Sequence, residues 1–179
     1  SVNKFAVLGL IGGVVIAAIV GFILMAAPKT DSADSLILPI SSRITTLEVV
    51  TSAQQKHLNE DHLNVANAAL NSSFDTMSTE VQAIIKTRGL LKKQTKFQIA
   101  SEKTYQTKLL KTLDDAYQRG TLDRTYATQM TYELTILTSQ INSLKKSTSN
   151  KDVVAFCDEA VSNIEPIFNS FSSFDPSKQ

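Results

Sequence analysis

The chain has 179 residues, with 18 Lys and Arg against 17 Asp and Glu, a formal net charge of +1, and one cysteine. That size provides one ordinary domain beyond its apolar start; the near balance of charge excludes the footprint a nucleic-acid binder needs, and the lone Cys157 excludes an intrachain disulfide. Mean hydropathy near zero averages two different solvents, a very apolar beginning and a Ser/Thr/Gln/Asn-rich remainder.

Phe5 to Ala27 contains no charged residue. About 23 positions at ~1.5 Å each make a helix of roughly 34 Å, enough to cross a hydrocarbon core of ~30 Å. The run is longer than the apolar core of a secretory signal, and Pro28 is an awkward neighbour for a cut after the small residues Ala26 and Ala27. Residues 1–28 are therefore expected to be a retained, single-pass transmembrane anchor in a lipid bilayer. Lys4 and Lys29 nearly balance its flanks, and the short leader favours a cytoplasmic N-terminus with the domain beyond the membrane. Gly9, Gly13, Ala17 and Gly21 recur every fourth residue as a smooth stripe. Such stripes let helix backbones approach closely in lipid, so this one is expected to pack against another membrane helix, in a homo-oligomer or with a helical partner.

Residues 29–39 read as a juxtamembrane linker, with Pro39 at the start of a helical domain over residues 40–174. Ile44, Leu47, Thr51, Leu58, Val65 and Ala69 trace one helical face, diluted by Gln54 and His62, and the pattern resumes at Phe74, Met77, Val81, Ile84, Ile85 and Leu91. This is one very long helix or two with a break near Asn71 to Ser73. Gly89 has no proline beside it, so the following turn is placed at Lys92 to Lys96. The next helix, Phe97 to Arg119, is amphipathic through Tyr105, Leu109, Leu113, Ala116 and Tyr117; it ends at Gly120, and Thr121 suits the N-cap of its successor.

Leu122 to Lys146 carries Tyr126, Met130, Leu134, Leu137, Ile141 and Leu144 in the steps of a bundle seam. Ser147 to Asn150 is a short polar loop that makes its flanking helices antiparallel partners. In the last helix Cys157, Ala160, Val161, Ile164, Phe168 and Phe171 share a face, Pro166 is expected to kink it, and residues 175–179 form a flexible tail. No strand-like alternation occurs. The expected fold is all-α: the anchor, then an antiparallel bundle of four or five long helices, with Leu134, Leu137, Ile141, Leu144, Cys157, Val161, Ile164 and Phe168 in its core.

Candidate chemistry is sparse. His57, Glu60, Asp61 and His62 are the densest group of ligand types, but the other helices offer only scattered carboxylates, Glu102, Asp114, Asp115, Glu133 and Glu159, and the paired Glu-x-x-His pattern of carboxylate-bridged bundles is missing. A solvated polar face is the better reading, with no metal site and no cofactor. Asp114 and Asp115 point in different directions on a helix and read as surface charges. Lys86 to Lys96 is interrupted by apolar and neutral residues and reads as a solvated face, not a site for nucleic acid or anionic lipid. Phe168, Phe171 and Phe174 exceed what one narrow seam needs; they either plug the end of the core or form a candidate interface.

No phosphate loop, nucleophile elbow or zinc spacing points to catalysis, and no small-molecule substrate is identifiable. The expected role is a non-catalytic assembly, scaffold or surface-interaction protein. One alternative is a filament subunit similar to a type IV pilin, its apolar helix in a shared core, although that resemblance asks for glutamate where Phe5 stands and a strand-rich head. The other is an extracytoplasmic ligand-sensing bundle.

Overall fold

The computed structural model describes residues 33–175, so the anchor, its Gly9, Gly13, Ala17 and Gly21 stripe, and the end of the tail lie outside the described residues. Within them the chain is all-helical: α1 (Asp34–Gln54), α2 (Asp61–Thr87), a 3₁₀ turn (Leu90–Lys92), α3 (Lys96–Gln118), α4 (Leu122–Lys146) and α5 (Lys151–Ser172). No helix among the described residues is long and apolar enough to cross a membrane.

Helix α1 begins earlier than its sequence suggests. Pro39 lies inside it, not at its start, and the expected linker already contributes Ala33 and Ile37 to the core. Proline removes one ladder hydrogen bond, and burial of Ile37, Ile40, Ile44, Leu47 and Val50 outweighs that loss. The break that divides residues 40–91 comes at residues 55–60, not at Asn71 to Ser73, which lie within the 27-residue α2. Leu58 in this connection is buried, and the Asp123 carboxylate accepts hydrogen bonds from the amides of Asn59 and Glu60 at 3.1 and 3.0 Å. The break also resets the helical phase, so Leu63, Ala66, Asn67, Leu70, Phe74, Met77, Val81 and Ile85 face inward, whereas Val65 is 71% exposed.

Gly89 has φ 66° and ends α2 with its amide on the Lys86 carbonyl, so this glycine makes the turn and Leu90, not Leu91, enters the core. Thr95 then caps α3 in a reciprocal arrangement with Gln98. Gly120, φ 67°, closes α3, with the Gly120 amide on the Tyr117 carbonyl and the Thr121 amide on that of Ala116. Thr121 occupies the N-cap position of α4 without capping it, because its hydroxyl donates back to the Ala116 carbonyl. Asn150 does cap α5, accepting from the Asp152 and Val153 amides.

The helices run alternately up and down. Helices α1, α2, α5 and α4 close a ring in that order, each packed on the next, and α3 lies over the seam between α1 and α4. Leu134, Leu137, Ile141, Leu144, Cys157 and Ile164 fill the core as expected. Val161 and Phe168 are only half-buried beside it; Phe156, Ala160, Ile167 and Phe171 take the inner stripe of α5. The helix continues through Pro166. Phe171 packs edge-on against Tyr126, ring centres 5.8 Å apart, and plugs the end of the bundle, with Phe168 and Phe174 half-buried around it.

Candidate functional site

The most unusual chemistry is a buried ionic cluster beneath α3. Arg43 follows Ile40 by three positions and precedes Ile44, so it sits at the edge of the buried α1 stripe, on the side that α3 covers. It is 5% exposed. Its Nε and one terminal nitrogen donate to both oxygens of Glu102 on α3 at 2.8 and 3.4 Å, and the other terminal nitrogen donates to Oε2 of Glu133 on α4 at 3.1 Å. The guanidinium carbon stands 3.9 Å from the centre of the Tyr105 ring, and the Tyr105 hydroxyl donates to Glu133 Oε1.

One guanidinium thus meets two carboxylates in an almost dry site. Burial raises the Glu133 carboxyl above the ordinary glutamate range even though Tyr105 and Arg43 both stabilise its anion. Burial also pushes the Tyr105 phenol up, reinforced by Glu133, so Tyr105 acts as a neutral donor. Three of the five N–H donors of Arg43 are directed at Glu102 and Glu133, and the Tyr105 ring covers its face. What the arrangement does is mechanical: it ties α3 to both helices beneath it. Among the described side chains, the buried apolar residues of α3, Leu109, Leu113 and Ala116, belong to its second half, while Ile99 is 51% exposed, so among them the cluster holds the first half.

A second, neutral polar layer lies farther along the core. Asn67, fully buried, donates to the Thr51 carbonyl at 2.9 Å and to Gln55 Oε1 at 2.6 Å, and accepts from the buried Tyr126 hydroxyl. On the surface between α2 and α5 a groove of about 350 Å³ is lined by Ile84, Val153, Phe156, Glu80 and Glu159. Burial and the neighbouring Glu159 raise the Glu80 carboxyl. Arg88, at one end of this groove, pairs with Asp34 at 2.6 Å, and Lys93 adds a contact at 3.3 Å. Burial works against the Asp34 anion, but these two cations outweigh it and hold the carboxyl below its usual value.

The residues singled out from sequence do not converge. His57 is in the α1–α2 connection, not on a helix with Asp61, and its ring lies 4.6 Å from that of Tyr117. His62 and Asp61 are exposed in the first turn of α2, and among the described residues no three His, Cys, Asp or Glu side chains are placed to hold a metal ion. Asp115 pairs with Lys111 at 2.9 Å and Asp114 accepts from Gln118, both on the α3 surface. Cys157 is buried, and burial pushes its thiol up to about 11. Glu102 and Glu133, apparently scattered, meet at Arg43, which the sequence reading passed over; the available signal was an arginine set between two core isoleucines, with a glutamate adjoining the Leu134 seam. Comparison with protein-family models, curated proteins and solved structures finds no match.

Proposed function

We propose that this chain is a single-pass, membrane-anchored helical bundle that acts without catalysis, as an assembly, scaffold or surface-interaction protein, its N-terminus cytoplasmic and its bundle on the opposite side. The observation that carries this reading is the shortness of the connection between the apolar run and the packed domain. Ala33 is 1% exposed and Ile37 is fully buried, so only residues 28–32 separate Ala27 from the core. Fully extended at ~3.4 Å per residue step, the six steps from Ala27 to Ala33 reach at most about 20 Å. A bundle so tethered stays at the bilayer surface and presents its sides and far end to partners. The buried polar groups of Arg43 and Asn67 are engaged in joining its own helices. The stripe Gly9, Gly13, Ala17 and Gly21 supplies a route to a homo-oligomer or a helical partner within the membrane.

Intact mass and alkaline carbonate extraction test the anchor: the full chain should keep residues 1–28 and remain in the pellet. A mature N-terminus at or beyond Ala27, or release into the supernatant, contradicts retention or spanning respectively. A lone monomer in mild detergent would contradict the assembly role.

A further inference from the structure

Helix direction places the N-termini of α1, α3 and α5 and the C-termini of α2 and α4 at one end of the bundle, the end from which the chain leads back to the apolar run. Six exposed lysines gather there, besides the Asp34-bound Lys93, from two separate connections: Lys86, Lys92 and Lys96 around the one between α2 and α3, and Lys145, Lys146 and Lys151 around the one between α4 and α5. The acids on this side are Asp152, which is exposed, Asp158, which pairs with Lys145 and leaves the other five lysines in excess, and Asp34, which is occupied by Arg88 and Lys93. The opposite end has no such bias, with Lys56, Arg119 and Arg124 beside Glu60, Asp61, Asp123 and Asp175. Lys86 to Lys96 reads as a solvated face when its lysines are counted along the chain alone. Its lysines are diluted along the chain but are joined in space by the end of α4 and the start of α5.

Like charges gathered at one end repel one another, and an anionic surface relieves that repulsion. Six residue steps separate Ala27 from Ala33 at this same end, at most about 20 Å at ~3.4 Å per step. We infer that the lysine-rich end of the bundle is a docking face for anionic phospholipid headgroups, which seats the domain upright on the membrane that its N-terminal run enters. The inference rests on the anchored reading above and adds to it a lipid class and an orientation. Clustered lysines beside a membrane segment draw on the negative surface potential, and the attraction decays within a Debye length. Contact should therefore depend on lipid charge and on salt, whereas anchoring should depend on neither.

The test uses the full chain in vesicles, with a fluorophore on Ser149→Cys in the α4–α5 turn or on Gln118→Cys near the opposite end. Cys157 is buried and stays unlabelled. With a quencher on the lipid headgroup, the Ser149→Cys label should be quenched about twofold or more in excess when phosphatidylglycerol is mixed into phosphatidylcholine at low salt. That excess should disappear at about 1 M salt, where the Debye length is ~3 Å. It should also disappear when Lys92, Lys96, Lys146 and Lys151 are all changed to Gln with helical circular dichroism unchanged, and the Gln118→Cys label should not respond to lipid charge. Equal quenching in both lipids, or an excess that survives the four substitutions, overturns the docking face. A stronger response to duplex DNA than to phosphatidylglycerol at equal phosphate overturns it in favour of nucleic acid. The anchor is judged separately by retention on pure phosphatidylcholine at high salt. If that retention fails but lysine-dependent capture by anionic vesicles remains, the docking face stands and the anchor falls.

Discussion

Arg43 has little freedom to be replaced. Truncation to alanine leaves Glu133, 1% exposed, without its cation, and removing one partner from a buried pair costs about 3–5 kcal/mol. Urea unfolding of Arg43→Ala should show that loss, and the first half of α3 should exchange its amides faster than the second, because the apolar anchors lie in the second half. Glu133→Gln tests the proton balance. The folded state holds the Glu133 proton to higher pH than the unfolded chain does, so its contribution is fully present below the ordinary value of 4.5 and is lost as pH rises through the raised value. Wild type should therefore lose stability relative to Glu133→Gln as pH rises above about 4.5, measured as the difference in urea midpoint. Asp34, whose carboxyl is held below its ordinary 3.8, acts in the opposite direction and only on acidification below that value. Should the difference between wild type and Glu133→Gln not change with pH, the Glu133 carboxyl would not be raised.

Helix boundaries in this chain follow its turn chemistry where the signal is local. Gly120 and the polar Ser147 to Asn150 loop delimit α4 as expected, since a left-handed glycine and a run of short polar residues act on their immediate neighbours. Gly120→Ala places a side chain at φ 67°, and although open space surrounds that position the backbone strain should cost about 1–2 kcal/mol in thermal or urea unfolding. Leu137, at the centre of α4 and fully buried, should cost about 2–5 kcal/mol when truncated to alanine. Periodicity is less informative where two apolar stripes lie side by side. In α5 the stripe through Cys157, Ala160, Ile164, Ile167 and Phe171 faces the core and that through Val161 and Phe168 borders it, because α2 and α4 flank α5 and their positions decide which stripe is central. In α2 the sequence reading carried the phase of α1 across residues 55–60, and that one error put Val65 and Ala69 inward.

At the scale of the whole molecule, the anchored reading requires the apolar run to do more than hold the bundle. Gly13→Leu should abolish cross-linking between membrane helices while leaving insertion intact, since leucine is at least as apolar as glycine but keeps backbones apart, and Leu10→Ile, off the stripe, should cross-link like wild type. Equal cross-linking in all three would reduce the stripe to composition. The sequence by itself determined the all-helical class, the order of the domain's later helices and the seam of α4, because helical periodicity, glycine stops and polar turns act over a few residues, whereas it left residues 40–91 as one helix or two. Only the tertiary structure decided which polar residues are buried together and which charges share a face. Arg43, Glu102 and Glu133 lie on three helices, and the lysines of the basic end come from two connections far apart in the chain. Desolvation and electrostatic potential depend on distance in space, and the up-and-down path of the chain brings together groups that lie far apart along it.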